Sequence, residues 1–274
     1  MLTHSRTGRL AVLTLLLSLA CQLAHADRLS QIREAGKIRI AIINGLPSFS
    51  QYDPGQGWTG SDADTARLLA DDMKVKAEFV QVANSERLSA LQADKADIIV
   101  SALSITPERE QLIAFSLPYS AIALVIGAPA SAKINGYRDL TGKLVGVGRN
   151  TSDGALLKQH AQGARIIEYA DERTLLNGFL NRQYDVVSCQ RASLIALNRM
   201  LTAHEQLEEK FIQREFQVAI GMSKEDALLR KWINNWVSSN LLNGRLDAIF
   251  KRHHGRALPE SVLPGGSATK LSTF

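Results

Sequence analysis

Short apolar runs alternate along the chain with segments whose apolar residues recur at helical spacing. Residues 38–42 are mostly branched and apolar, which predicts a buried strand, whereas residues 62–73 carry the periodicity of an amphipathic helix. The pattern continues with predicted strands at 77–82 and 97–101 and a predicted helix at 85–93. Because strands that alternate with helices indicate βαβ units, these residues predict one α/β lobe.

A second series of the same kind follows Pro129. It consists of predicted strands at 144–148, 164–169 and 185–188 and predicted helices at 151–162 and 171–180. Apolar runs at 121–126 and 216–220 flank this series and predict two strands that cross between lobes. The predicted helix at 226–242 then returns to the first lobe. We therefore expect two α/β lobes, each with its own sheet, and a ligand cleft between them.

The N-terminal segment has the organisation of an export signal. Arg6 and Arg9 precede an apolar run at residues 10–20, and small residues at 24–26 form a cleavage site before Asp27. The apolar run is shorter than the ~20 residues that a membrane-spanning helix needs. We therefore expect residues 1–26 to be removed on export, which leaves Asp27 as the mature N-terminus.

The cysteines bear on anchoring and on stability. Lipid attachment to Cys21 is the alternative to cleavage before Asp27, but Ser18 stands where the lipoprotein signal that this segment resembles has a branched apolar residue. Cleavage leaves Cys189 as the one remaining cysteine, so no internal disulfide can form. We expect Cys189 to be a small buried residue rather than a catalytic one.

Length and charge narrow the class of protein further. Removing 26 residues from 274 leaves enough chain for two lobes with cores of their own. The formal charge of +5 includes two arginines of the export segment and is otherwise spread along the chain. The densest basic run, residues 251–254, closes a predicted terminal helix and complements its dipole. We therefore expect no nucleic-acid partner.

The first candidate for ligand binding is the segment at residues 101–109, which leaves a predicted strand and enters a helix start. Pro107 suits the first turn of a helix, and Ser104 and Arg109 flank it with a hydroxyl and a guanidinium. Free N–H groups at a helix start and an arginine fork both suit a carboxylate. A capped helix with Arg109 on the surface explains the same residues equally well.

The corresponding point of the second lobe offers a similar arrangement. The predicted strand at 144–148 runs into Arg149, and Thr151 or Ser152 is then the predicted N-cap of a helix. Two helix starts on facing lobes would hold one anionic ligand from both sides. The glycines of this strand do not form a dinucleotide-binding fingerprint, since no third glycine follows at the required spacing.

In combination these segments resemble the bacterial extracellular solute-binding proteins for polar amino acids, called family 3. The resemblance covers nearly all of the mature chain. It rests on residues 60–64, 104–109, 115–119, 140–147, 216–222 and 243–250.

The resemblance implies a fold, a function and partners. The implied fold class is α/β, a two-lobed periplasmic-binding-protein-like fold (type II) with two crossing strands between the lobes. The expected divisions are a signal peptide at 1–26, lobe 1 at 27–120 plus 216–257, lobe 2 with the hinge strands at 121–215, and a disordered tail at 258–274. The implied function is periplasmic capture of a small carboxylate-bearing metabolite for the permease of an ABC transporter in the inner membrane. We expect a monomer without cofactor, metal or catalysis.

The resemblance also assigns site residues. Arg109 resembles the arginine that pairs with the ligand carboxylate, and Ser104 the residue that assists it, with Ala102 beside it in the same segment. Thr151 and Ser152 resemble the second-lobe donors to that carboxylate.

Three positions depart from the family pattern. Gln190 stands where the family has an acidic residue that accepts the ligand's ammonium group, and a neutral amide supplies no charge there. Leu46 and Ser61 replace the family's two aromatic walls. Arg149 adds positive charge near the predicted cleft. We therefore expect selectivity against simple zwitterionic α-amino acids, and a preference for an anionic ligand if Arg149 or Arg191 points into the cleft.

Other residues and two other functions remain open. Phe49 and Trp58 could replace the missing aromatic walls, and Arg191 could add charge to the cleft. Some relatives on this fold dehydrate a cyclic carboxylate, and Asp153 and Glu172 are the nearest carboxylates for such a cyclohexadienyl-dehydratase-like lyase, although each also suits a helix start. A ligand-sensing subunit would use the same site.

Overall fold

A computed structural model of the chain describes residues 27–263. The first part contains, in order, α1 (Arg28–Ala35), β1 (Lys37–Ile43), β2 (Gln51–Asp53), β3 (Gly57–Thr59), α2 (Ser61–Met73), β4 (Lys76–Val82), α3 (Arg87–Gln92), β5 (Ile98–Ile99) and α4 (Pro107–Glu110). The remainder contains β6 (Ala114–Pro129), β7 (Leu144–Gly148), α5 (Ser152–His160), β8 (Arg165–Tyr169), α6 (Glu172–Leu180), β9 (Val186–Gln190), α7 (Arg191–Met200), β10 (Leu207–Met222), α8 (Ala227–Leu242) and α9 (Arg245–His254). Short 3₁₀ turns occupy Asn84–Glu86 and Tyr137–Leu140.

The two predicted crossing strands are the central feature of the fold. β6 and β10 each have 16 residues and pair antiparallel from Pro129 opposite Leu207 to Ala114 opposite Met222. At one end β5 pairs with the last two residues of β10, and at the other β9 pairs with residues 124–127 of β6. The prediction of two lobes joined by two crossing strands is thus confirmed, although β10 is continuously buried only over its last five residues, whereas β6 is buried over most of its length.

The strand ladder is continuous, although we expected each lobe to have its own sheet. All eight main strands follow the order β4-β1-β5-β10-β6-β9-β7-β8. The reason is the length of β6 and β10, since 16 residues at about 3.3 Å each span roughly 50 Å, enough to serve both lobes. Lobe 1 therefore uses one end of this strand pair and lobe 2 the other.

Each lobe buries apolar faces of its own. In lobe 1, Ile38 and Ile40 of β1 lie against Leu69 of α2, and α8 contributes Ile233 and Trp236 to the same core. In lobe 2, one core gathers Val145 and Leu157, and a second gathers Tyr184 and Leu197. Cys189 belongs to the latter core and is 2% exposed, as predicted.

The predicted disordered tail is in part wrong. Leu258 and Val262 are each 4% exposed and belong to the core of lobe 1. The Leu258 amide donates to Asp247 over 2.7 Å, and the Ser261 carbonyl accepts from Gln217 over 2.6 Å. Residues 258–263 thus pack on lobe 1 because Leu258 and Val262 bury their side chains in its core. Residues 264–274 and the predicted signal segment 1–26 lie outside the described residues.

Sequence reasoning also missed or overextended several elements. It did not predict α1, α7 or the β2–β3 hairpin, and it predicted β5 over five residues where two are paired. The Val100 amide still donates to the Ala41 carbonyl, and Ala102, with a φ of 42°, then turns the backbone. Within residues 27–263, no helix combines the length and the apolar character needed to cross a membrane.

Candidate ligand-binding cleft

A cleft lies between the lobes, and residues of both lobes line it. It holds about 460 Å³ of space not occupied by protein atoms, including space open to solvent. Seven of the nine residues that the sequence assigned to a ligand line it: Leu46, Ala102, Ser104, Arg109, Thr151, Ser152 and Gln190. The two helix starts predicted from the sequence therefore do face one space.

On lobe 1, a buried carboxylate holds the segment that follows β5. Asp62 accepts a hydrogen bond from the Ala102 amide over 2.7 Å and another from the Tyr119 hydroxyl over 2.6 Å. Asp62 is fully buried, and this burial raises the pKa of its carboxyl to about 7. Ala102 has the left-handed φ that non-glycine residues avoid, so its backbone turn needs support from its surroundings. The hydrogen bond from its amide to Asp62 supplies that support, and Ala102 lines the cleft.

Arg109 reaches across the cleft from α4. Pro107 occupies the first turn as predicted, and the Thr106 hydroxyl caps the helix by accepting from the Arg109 amide over 3.3 Å. The Arg109 guanidinium donates to the Ser104 carbonyl over 3.0 Å and to the Asn150 carbonyl of lobe 2 over 3.3 Å. Arg109 is therefore a cleft residue rather than a surface arginine, and it links the two lobes.

Arg87, which sequence reasoning missed, lies beside it. This first residue of α3 is 4% exposed and donates to the carbonyls of Asn84 over 3.2 Å and Ser101 over 3.0 Å. Within the described residues, neither Arg87 nor Arg109 forms a salt bridge. Burial lowers the pKa of Arg87 to about 9 and that of Arg109 to about 10. Lobe 1 thus presents one buried and one half-buried cation, and neither forms a salt bridge with a carboxylate of the described residues.

Lobe 2 presents the predicted helix start. Thr151 is the N-cap of α5, since its hydroxyl accepts from the Gly154 amide over 3.3 Å and donates to the Gly148 carbonyl over 2.6 Å. Ser152, the first residue of α5, is 8% exposed, and its hydroxyl has no hydrogen-bond partner among the described residues. The free end of α5 and an unpaired hydroxyl therefore meet the cleft from the side opposite to the arginines.

Two carboxylates also line the lobe 2 wall. Asp153 accepts from the Ser188 hydroxyl over 3.2 Å, and burial raises the pKa of its carboxyl. Glu172 is 5% exposed, and burial raises its pKa to about 7, with the nearby Ser193 hydroxyl opposing the shift and the charge of Asp153 adding to it. The side-chain oxygens Glu172 Oε1 and Gln190 Oε1 are buried without a hydrogen-bond partner in the described chain. The two carboxylates face the two arginines of lobe 1 across one cleft.

Two predicted ligand residues do not line the cleft. Ser61 is 3% exposed, and its hydroxyl lies 3.0 Å from Nε2 of His254, because α2 turns this side chain towards α9. Arg149 follows β7 in a turn and is exposed to solvent.

Three further candidates have structural contacts elsewhere. Phe49 is buried with its ring 4.5 Å from that of His254, and Trp58 packs against Tyr52 and Phe79. Arg191 pairs with Glu209 over 2.7 Å. None of the three lines the cleft, so neither an aromatic wall nor extra charge comes from them.

The residues that sequence reasoning missed or discounted carried weak signals. Glu172 follows the N-cap Asp171 of α6, where an acidic residue is ordinary because it complements the helix dipole. Arg87 begins α3, where a positive charge opposes the dipole. That mismatch was the one signal that Arg87 does something other than stabilise its own helix.

Known proteins resemble this chain over most of its length. The L-cystine-binding protein TcyJ of Escherichia coli is 28% identical over 85% of this chain and 88% of its own. Cyclohexadienyl dehydratase of Pseudomonas aeruginosa is 24% identical over 87% of this chain and 91% of its own. The crystal structure of the solute receptors for L-cysteine of Neisseria gonorrhoeae has a TM-score of 0.77 at 23% identity, covering 87% of this chain and 98% of that one.

These similarities agree with the two-lobed architecture and with the cleft between the lobes. The family described as bacterial extracellular solute-binding proteins, family 3, matches residues 38–256, which is most of the chain. The chain belongs to the bacterial extracellular solute-binding proteins of family 3.

Proposed function

We propose that this protein captures a small carboxylate-bearing metabolite, an amino acid or a related organic acid, in the cleft between its lobes. It acts in the periplasm and delivers the ligand to the permease of an ABC transporter in the inner membrane. The site supports the capture role, and membership of the family supports the compartment and the permease.

The observation that carries the proposal is a pair of cleft arginines, Arg87 buried and Arg109 half-buried, that form no salt bridge with a carboxylate of the described residues. Burying an ionised group is costly unless it is paired, and Arg87 and Arg109 find only main-chain carbonyls within the described chain. A ligand carboxylate would accept a two-pronged hydrogen bond from a guanidinium. The start of α5 at Thr151 and Ser152 supplies further donors from the opposite wall.

The fold supplies a means of holding and releasing such a ligand. β6 and β10 are the strands that connect the lobes, and the Arg109 contact with the Asn150 carbonyl joins the cleft walls. A ligand carboxylate that binds Arg109 and α5 together would favour the closed arrangement of the lobes. Closure around a bound ligand is the difference that a permease can recognise.

A ligand panel tests the proposal. Thermal unfolding is measured with L-cystine, L-cysteine, other amino acids, organic acids and, as controls without a carboxylate, the matching amines. We expect at least one carboxylate-bearing compound to raise the melting temperature, because a ligand that binds the native state alone stabilises it. The proposal fails if the amines stabilise the protein as well as the carboxylates do, or if no carboxylate does.

A lyase is the second candidate, because a buried carboxylate with a pKa of about 7, Glu172, suits general acid–base chemistry in a cleft. The similarity to cyclohexadienyl dehydratase favours the same candidate. Incubation of the protein with each stabilising compound, followed by mass spectrometry, separates the two functions. Binding predicts that the compound is recovered unchanged, whereas a lyase predicts loss of water from it.

A further inference from the structure

We propose that the Glu172 carboxylate, together with the Gln190 amide oxygen that lines the same cleft, binds a cationic ammonium group of the ligand. The ligand is then a zwitterion rather than a simple organic anion. This inference rests on the proposed function, because it concerns the second charge of a ligand whose carboxylate the arginines bind.

The first argument is the state of the two acceptor oxygens. Glu172 is 5% exposed and Gln190 is 7% exposed, and the Oε1 atom of each has no hydrogen-bond partner among the described residues. A buried acceptor without a donor is destabilising, and natural structures rarely leave one unsatisfied. Both side chains line the ligand cleft. An ammonium group carries three donors and no acceptor, so it can satisfy both oxygens at once.

The second argument is the charge balance of the cleft. Lobe 1 contributes the cations Arg87 and Arg109, and lobe 2 contributes the carboxylates Asp153 and Glu172. A ligand with only negative charge would satisfy the arginines but would lie against two carboxylates in a desolvated space, which is unfavourable. A ligand with one charge of each sign satisfies both walls. The separation of the charges onto opposite lobes also fixes the orientation of such a ligand.

This inference replaces the expectation that Gln190 selects against zwitterions. That expectation considered position 190 alone, where the amide is indeed neutral. The fold places the carboxylate of Glu172 in the same cleft, so the charge comes from the start of α6 instead of the end of β9. Gln190 then serves as a neutral acceptor in the same cleft as Glu172.

Two comparisons test the inference: pairs of compounds with and without an α-amino group, and variants that move the negative charge from position 172 to position 190. L-cystine and 3,3′-dithiodipropionate, and L-cysteine and 3-mercaptopropionate, differ only in their α-amino groups. Glutamate with glutarate and glutamine with its desamino analogue complete the set. Calorimetric titration at pH 8 compares the wild type, Glu172→Gln, and the double variant Glu172→Gln with Gln190→Asp. Glu208→Gln, which removes an exposed carboxylate of lobe 2, is the control.

The expected result has three parts. The wild type and Glu208→Gln bind the best amino acid at least about tenfold more tightly than its desamino partner, as loss of a hydrogen bond to a charged group predicts. Glu172→Gln loses that preference, and the double variant recovers it, because the charge returns at position 190. Thermal unfolding of each variant confirms that it is folded.

Each contrary result overturns something definite. If the wild type binds the desamino compounds as tightly as the amino acids, or if Glu172→Gln keeps the preference, the ammonium site is wrong while carboxylate capture stands. If no carboxylate in the set binds, the proposed function fails and the ammonium site fails with it.

Discussion

Replacement of Arg109 is the most direct test of the cleft, because this residue touches both walls. Arg109→Ala removes the guanidinium that donates to the carbonyls of Ser104 and Asn150. A guanidinium has five N–H donors, and these two contacts leave others free for a ligand carboxylate. The substitution should therefore weaken the binding of every carboxylate ligand, whatever its side chain.

The size of the effect follows from the kind of interaction lost. A hydrogen bond to a charged group contributes about 1.5–3 kcal/mol, which corresponds to about a 10- to 150-fold increase in Kd. Folding should be nearly intact, because Arg109 forms no salt bridge within the described residues and its burial is itself unfavourable. Arg87 then loses a repelling neighbour, so the remaining cation becomes less costly to bury.

The assay is calorimetric titration of the best ligand from the thermal panel into the wild type and two variants. Arg109→Lys keeps the charge but loses the planar fork, and we expect an intermediate affinity from it. Arg230→Ala, which removes an exposed arginine of α8 in lobe 1, should bind as the wild type does. The assignment of Arg109 to the ligand carboxylate is refuted if the folded Arg109→Ala protein binds within threefold of the wild type.

Three more predictions concern the rest of the molecule. Burial raises the pKa of Glu172 from 4.5 to about 7, so its contribution to the free energy of unfolding is full below pH 4.5 and is lost as the pH rises through 7. Between pH 5 and pH 8, the free energy of unfolding measured in urea should therefore fall less in Glu172→Gln than in the wild type. An equal fall in both proteins would contradict this. A Cβ at Gly146 would overlap the ring of Tyr184, so Gly146→Ala should lower the free energy of unfolding by about 1–3 kcal/mol in chemical denaturation, whereas Gly136→Ala, which meets no neighbour, should be nearly neutral. Mass spectrometry of the exported protein should show Asp27 as the first residue. The Asp27 side chain caps α1 by accepting hydrogen bonds from the amides of Leu29 and Ser30. A diacylglyceryl mass on Cys21 would exclude cleavage before Asp27.

Local pattern was enough to predict most of the regular elements. β7 begins and ends at the predicted residues, and α2 differs from its prediction by one residue, because both are determined by short-range periodicity and end signals. Thr151 caps α5 as expected, since an N-cap satisfies amides only three residues away. The crossing strands were recognisable because the runs at 121–126 and 216–220 are largely apolar, as in strands that are buried in a core.

Tertiary structure alone decided which charges face the cleft. Arg87, Asp153 and Glu172 all stand in the first turns of helices, and a charge there is equally typical of a solvated surface. Their burial depends on how α3, α5 and α6 approach the crossing strands, which no local pattern encodes. For the same reason Ser61 contacts His254 instead of the cleft, and Arg149, two residues before Thr151, is exposed to solvent.

The sequence by itself thus determined the two lobes, the crossing strands and the helix starts on either side of the cleft, because each depends on neighbours within a few residues. Only the packed structure placed two arginines on one wall and two carboxylates on the other, and only it buried Leu258 and Val262 against lobe 1. The physical reason is that burial and charge pairing are properties of surfaces brought together from distant segments. The type of a residue determines which groups it can bind, and the fold determines which groups lie close enough for it to bind.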